Sequence, residues 1–177
     1  MSVKAGLPPI APKDARLFIL GSLPGDASLA AGRYYAHPYN QFWRLLGGAI
    51  GEDLQALPYE DRLERLAERR IGLWDVIGSA RREGSLDQAI RAPAHNSLHE
   101  LVHDFPELVA VAFNGSTSAA IGRKLLAGTA HRLTLIDLPS SSPANTRPFA
   151  DKAKAWSVLR AFIPPCADTQ SGRNWRR

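Results

Sequence analysis

The chain has 177 residues, 45% apolar and 22% charged, a make-up that fits one soluble globular domain and excludes a fibrous or largely disordered protein. No stretch approaches the roughly 20 apolar residues of a membrane span, and the lone cysteine, Cys166, excludes an intrachain disulfide framework, a cysteine-ligated zinc site and a self-contained iron–sulfur cluster. Formal net charge is +5 with a sequence pI near 9.7, which suits a polyanionic partner such as nucleic acid, although scattered exposed arginines and the tail SGRNWRR are the simpler account.

The opening MSVKAGLPPIAP carries one Lys and no apolar core long enough for a secretory signal, so it reads as a short loose arm and the expected location is cytoplasmic. Runs rich in Val, Ile, Leu and Phe then recur at Arg16–Ser22, Gly72–Ile77, Leu108–Phe113 and Arg132–Leu138, each of strand length and bounded by Gly or Pro. Between them, helical spacing covers Asn40–Ile50, Tyr59–Arg70, Asn96–Asp104, Ser116–Leu126 and Arg147–Phe162. The runs LFIL and LVAVAF are apolar at consecutive positions, as strands buried on both faces require. The alternation predicts an α/β fold: a three-layer α/β/α sandwich around a central, mainly parallel four-stranded sheet. One domain is expected over residues 1–163, followed by a disordered basic tail at 164–177. Ligands of such sheets bind beyond the carboxyl ends of the strands, which singles out the loops Gly21–Asn40, Asp75–Ser85, Asn114–Thr117 and Pro139–Thr146.

The first loop opens with Gly21-Ser22-Leu23-Pro24-Gly25, a sharp strand exit able to present backbone N–H groups to an anion or a flat ring. A plain strand-to-helix turn capped by Asp26 or Ser28 would use the same residues. No Gly-Lys-Ser/Thr follows, so it is not a Walker loop, and the third glycine of a dinucleotide fingerprint is missing. Downstream, Tyr34 to Trp43 concentrates flat side chains beside His37 and Asn40; Pro38 disfavours helix at His37, which predicts a helix start near Tyr39 or Asn40. Asn40 reads equally as a helix cap with core aromatics around it, or as an amide beside a base-binding pocket. In the last loop, Ser140, Ser141 and Ser142 stand between Pro139 and Pro143, a donor-rich turn that can grip phosphates or simply cap the final helix through Asn145 or Thr146. Asp75 and Asn114 end their strands and either read a base edge or cap a turn. His95, His99, His103 and His131 form no recognisable metal-ligand pattern, and no metal or cofactor is expected.

Taken together, GSLPG (Gly21–Gly25) and LPSSSPAN (Leu138–Asn145) resemble the two motifs that flank the flipped base in the uracil-DNA glycosylase superfamily. The resemblance extends through HPYNQFW (His37–Trp43), IGLWDVIGSARREGSLDQAI (Ile71–Ile90) and FNGSTSA (Phe113–Ala119), and so covers most of Ala15 to Phe162. It is strongest to the hypoxanthine-DNA (deoxyinosine) glycosylase branch. Where many relatives carry an acid or amide in the first motif this chain has Ser22 or Leu23, and where many carry a His in the second it has Leu138. The resemblance moves the catalytic role to Asn40. It implies base contacts from Gly21, Ser22, Leu23, Pro24 and Gly25 through their main chain and stacking on Phe42, with Asp75 and Asn114 still open between base-edge contacts and turn caps. Ser140, Ser141, Ser142, Pro143, Asn145 and Arg147 would hold flanking phosphates or lie near the space the nucleotide vacates.

The implied activity is a monofunctional DNA-repair glycosylase that hydrolyses the N-glycosidic bond of hypoxanthine, with uracil or xanthine next, and leaves an abasic site. Cleavage develops oxocarbenium character in the sugar and negative charge on the base, so electrostatic placement can replace strong base catalysis. The expected partner is DNA containing a deaminated base, bound by a monomer with no membrane attachment. Ser22 in place of an acid keeps open a non-catalytic nucleic-acid-binding module on the same fold. A small-molecule nucleoside or ester hydrolase is the third reading, disfavoured by basic charge and two phosphate-gripping loops. No lysine stands within the site motifs, which argues against a lyase.

Overall fold

The computed structural model describes residues 2–129 and 131–165. Among the described residues, seven strands and six α-helices follow one another as β1 (Val3–Ala5), β2 (Leu17–Gly21), α1 (Asp26–Ala31), α2 (Phe42–Ile50), α3 (Tyr59–Glu68), β3 (Ile71–Asp75), β4 (Ile77–Arg81), β5 (Arg91–His95), α4 (Leu98–Asp104), β6 (Ala110–Asn114), α5 (Ser116–Leu125), β7 (Thr134–Leu138) and α6 (Phe149–Trp156). The central sheet runs β3-β2-β6-β7 with every pairing parallel, as the apolar runs predict. Successive residues of β2 explain why all of them are apolar: Leu17 and Ile19 enter a core beneath α2, α3 and α6, while Phe18 and Leu20 enter a second core beneath α4 and α5. The sheet is therefore the middle of three layers.

Several boundaries move inward from the sequence expectation. The final helical stretch divides into α6 and a 3-10 segment, Ser157–Phe162. The first loop holds the short helix α1, which starts after Gly25 and stops at Gly32 in the left-handed conformation. The N-terminal arm is not loose: β1 pairs with β4, β4 with β5, and Ile10 bridges to Leu73, giving a small antiparallel sheet, β1-β4-β5. That sheet carries part of the predicted Asp75–Ser85 loop. Pro164 is anchored through its carbonyl, which accepts from the Arg69 guanidinium at 3.1 Å; the expected disordered tail otherwise lies outside the described residues. Among the described residues no helix is long and apolar enough to cross a membrane.

The parallel register brings the strand ends level. Gly21 pairs with Asp75, Leu20 with Phe113 and Asn114 with Leu138, so Gly21, Asp75, Asn114 and Leu138 form one row along the carboxyl edge of the sheet. The helix covering β6 must come close for this: a β-carbon on Gly122 of α5 would collide with the ring of Phe113, which is wholly buried. In an open helix, Gly→Ala is stabilising by roughly 1 kcal/mol. Here Gly122→Ala is expected instead to lower stability by about 1–3 kcal/mol through overpacking, measured as a shift of the urea midpoint; a gain would show that the helix can move away from the sheet.

Candidate functional site

The row of strand ends is open at Gly21 because nothing but a glycine fits there. A β-carbon at this position would stand 2.5 Å from Asp75 Oδ1 and 3.2 Å from the Tyr35 hydroxyl. Asp75 is 4% exposed and its Oδ2 has no hydrogen-bond partner; the Tyr35 hydroxyl is likewise buried and unpartnered. Burial pushes the Asp75 carboxyl up to about 7, helped by the nearby Asp87 charge and opposed by Arg82. Burial and Asp75 also raise the Tyr35 phenol, with the Asn114 amide acting in the opposite sense. Two orphaned polar atoms at one spot are unusual in a native interior and mark a place built to receive a polar group.

Ser22 to Gly25 wraps this spot with its carbonyls committed elsewhere. Gly21 and Ser22 accept from the Val76 and Ile77 N–H groups at 2.9 and 3.0 Å. The carbonyls of Leu23 and Pro24 accept from the guanidinium of Arg82, which is only 1% exposed. Gly25 sits immediately before α1, and the next N–H, that of Asp26, donates to Ser85 Oγ at 2.9 Å. The Leu23 side chain points into the core, and the Ser22 hydroxyl donates to Asp87 Oδ1 at 2.6 Å. A carboxylate thus stands beside the first motif after all, delivered by Asp87 from the β4–β5 connection. Neither Arg82 nor Asp87 was singled out from the sequence, although both lie within the motif stretch Ile71–Ile90.

The turn before α2 is held by its own backbone. The Asn40 N–H donates to the His37 carbonyl at 2.9 Å and the Tyr39 N–H to His37 Nδ1 at 3.2 Å. Asn40 Oδ1 accepts from the Phe42 N–H at 3.0 Å, so α2 begins at Phe42 rather than at Asn40, with Asn40 half-buried outside it. Its Nδ2 makes no hydrogen bond among the described residues. The expectation that a base stacks on Phe42 is corrected by the packing. Phe42 is 0% exposed and its face is covered by the Tyr35 ring, centroids 3.7 Å apart and planes 8° from parallel. Tyr35, held at φ 54°, presents the outer ring instead. Tyr39 projects outward from the same turn and is 76% exposed.

The second loop is less open than its serines suggest. Ser141 is 0% exposed: its hydroxyl accepts from Asn114 Nδ2 and its N–H donates to Asn114 Oδ1, both at 2.9 Å, while its carbonyl accepts from the Gln41 N–H. This corrects two expectations. Ser141 does not face a phosphate, and Asn114 neither caps α5, whose N-cap residue is Gly115, nor leaves both ends of its amide for a base. Ser140 and Ser142 are half-buried and Pro143 and Arg147 are exposed. The Asn145 amide bonds within the loop, to the Ser140 carbonyl and the Arg147 N–H. Beneath lies a lysine that the motif reading missed: Lys152 of α6 is buried, and its ammonium donates to Gln41 Oε1 at 2.9 Å and the Asn145 carbonyl at 2.7 Å. Burial lowers its pKa, yet both bonds tie it down as a strut between loops. His95, His99, His103 and His131 are all exposed. Among the described residues no cluster of three His, Cys, Asp or Glu could hold a metal ion.

Comparison with known proteins adds a family to this geometry. Residues 8–160 match the model of the Uracil DNA glycosylase superfamily. A protein of Methanosarcina barkeri described as a hypoxanthine DNA glycosylase is 42% identical over 154 residues, covering 87% of this chain and 96% of its own. Its namesake from Methanosarcina acetivorans is 40% identical over 157 residues, covering 89% and 98%. The solution NMR structure of an M. acetivorans protein, described as a candidate uracil DNA glycosylase, superposes with a TM-score of 0.81 at 39% identity, covering 91% of this chain and 99% of that one.

Asp75 also makes stability depend on pH. Its folded-state pKa lies above the ordinary value of 3.8, so the folded form binds the proton more tightly than the unfolded chain. The associated stability is complete below about pH 4 and is lost as pH rises through about 7. Asp75→Asn, uncharged at every pH, is expected to raise the melting temperature relative to the wild type at pH 8 more than at pH 5. Equal shifts at both pH values would show that Asp75 is already ionised in the fold.

Proposed function

The chain belongs to the uracil DNA glycosylase superfamily and is a DNA glycosylase acting on a deaminated base; we propose that hypoxanthine is its preferred base, ahead of uracil and xanthine, and that Asn40 is the catalytic side chain. What carries this reading is the Asn40 carboxamide, half-buried beside the Tyr35–Phe42 stack, in a chain whose first motif points Leu23 into the core. Names of relatives at 40–42% identity over nearly their whole length support the choice of base. They do not favour a non-catalytic binding module.

The target nucleotide leaves the duplex because its glycosidic bond is unreachable within it, at a cost of a few kcal/mol that is least for mispaired bases. In the pocket the base lies on the half-buried Tyr35 ring, in the role the resemblance gave to Phe42. The main-chain N–H groups of Ser22, Leu23 and Gly25 and the Asp75 carboxyl meet its edges, above Gly21. Asn40 Oδ1 spends one lone pair on the Phe42 N–H and keeps a second for the attacking water, while Nδ2 is free to donate. The C1′–N bond breaks with its electron pair passing to the base, the water oxygen bonds to C1′, and its proton leaves to solvent. Ser140, Ser142 and Arg147 hold flanking phosphates, with Pro143 and Asn145 shaping the loop tip. Tyr39, an exposed ring on the same turn as Asn40, enters the stack the nucleotide vacates. The protein works as a monomer and in the cytoplasm, in keeping with its single cysteine.

Purified protein is expected to release hypoxanthine from a deoxyinosine oligonucleotide and leave an alkali-labile abasic site without cutting the strand. Asn40→Ala should lose release while DNA binding survives in a gel-shift assay; undiminished release would remove Asn40 from the mechanism. Tyr39→Ala should slow release from duplex by about 5- to 150-fold, the scale of losing one base-stacking contact of about 1–3 kcal/mol, and leave single-stranded substrate nearly unaffected. Equal losses on both substrates would assign Tyr39 to the pocket instead.

A further inference from the structure

We propose that Asp75 acts as a neutral carboxylic acid that pairs with the lactam edge of hypoxanthine and donates a hydrogen bond to O6 as the base departs. The proposal rests on the reading of the protein as a hypoxanthine glycosylase. Four side-chain positions end the central strands at the site, and Asp75 is the one that holds a buried oxygen with no partner. Gly21 has no side chain, Leu138 is buried and apolar, and the Asn114 amide is oriented by Ser141, which takes one of its N–H groups and one of its oxygen lone pairs. At 4% exposure Asp75 keeps its Oδ2 without a partner, while its Oδ1 and the Tyr35 hydroxyl both close on Gly21.

The surroundings favour the uncharged form on physical grounds. A buried carboxylate without an ion-pair partner is costly, and the group takes up a proton instead. From the β4–β5 connection Asp87 presents a like charge, and Arg82, just after β4, presents a cation whose hydrogen bonds go to the Leu23 and Pro24 carbonyls. From the loop before α2, Tyr34 and Tyr35 face it as neutral phenols. Asn96, after β5, binds the Asp75 backbone carbonyl at 2.8 Å and leaves the carboxyl alone. The carboxyl's direction of shift agrees with this arrangement.

A neutral carboxyl carries one donor and one acceptor on adjacent oxygens. Hypoxanthine presents an acceptor and a donor, O6 and N1–H, at matching separation, so the two form a cyclic pair. When the C1′–N9 bond breaks, its electron pair spreads over the purine onto N3, N7 and O6. The Asp75 O–H strengthens its bond to O6 at that moment, and the proton need not transfer; the departing base takes its proton from solvent. An ionised Asp75 would repel the same developing charge. Donors aimed at charge that appears in the transition state are worth about 10²–10³ in rate each.

The test is single-turnover release of hypoxanthine from a deoxyinosine oligonucleotide between pH 6 and pH 8.5, for wild type, Asp75→Asn and Asp75→Ala. Asparagine keeps one donor and one acceptor but cannot ionise. The wild-type rate should fall above about pH 7, tending to about tenfold per pH unit. Asp75→Asn should hold its rate flat and within about tenfold of wild type at pH 6, and Asp75→Ala should lose about 10²–10³ at every pH. A flat wild-type profile, a fall shared by Asp75→Asn, or full activity in Asp75→Ala each overturns the role of Asp75 while leaving the glycosylase intact. No release by wild type at any pH removes the hypoxanthine reading and this proposal with it. An independent readout needs no variant activity: the carboxyl carbon shift of Asp75, assigned by difference from Asp75→Asn, should report the neutral acid at pH 6, and a carboxylate there overturns the proposal.

Discussion

The missing side chain at Gly21 is the constraint around which the site is arranged. Strand β2 has to end in a residue without a β-carbon, because Asp75 Oδ1 already occupies the space one would fill and the Tyr35 hydroxyl closes in from the other side. Once those two groups meet there, the Tyr35 ring is fixed flat on Phe42, and Phe42 is fixed by its place at the start of α2 against the core. The strain of a non-glycine residue at positive φ, of order 1–3 kcal/mol, falls on Tyr35, where the surrounding packing holds it. A larger residue at position 21 would spread the strand end from both neighbours and remove the pocket floor.

Rigidity around that point comes from groups that never face it. Asn114 and Ser141 bond to each other twice, so the connection after β6 and the loop after β7 move as one piece, and the Ser141 carbonyl carries the tie on to Gln41 before α2. Two buried cations act alongside: Arg82 holds the carbonyls of Leu23 and Pro24, and Lys152 joins Gln41 to the Asn145 carbonyl. Cations buried this deeply are tolerated where several acceptors satisfy them, and removing those acceptors would leave an uncompensated charge. The loops that bear the chemistry are thereby positioned by the scaffold to the precision that a reaction driven by electrostatic placement demands.

Some of this was legible along the chain. LFIL and LVAVAF announce strands buried on both sides, and the helical stretches between them announce the layers. The small sheet was not legible: β5 is exposed along its whole length, β4 starts one residue after β3 ends, and neither shows a clean alternation. The aromatic density from Tyr34 to Trp43 marked a pocket wall but not which ring forms it. That choice follows from the turn at His37–Asn40, which tucks Phe42 inward and lays Tyr35 over it. The serines of the second loop read as three equivalent donors, whereas Asn114, 27 residues earlier, removes Ser141 from the surface.

By itself, then, the sequence determined the layered parallel architecture, the edge of the sheet that would carry the site, and the short motifs whose order identifies the family. These depend on burial patterns and turn chemistry that act within a few residues of one another. Only the tertiary structure decided which side chains meet: Asp75 against Gly21, Asp87 on Ser22, Asn114 on Ser141, Lys152 beneath Gln41. Each of those contacts joins residues far apart along the chain, and each is set by strand register and helix approach. A buried polar group's partner is chosen by what the folded interior brings within about 3 Å, and no local spacing encodes that distance.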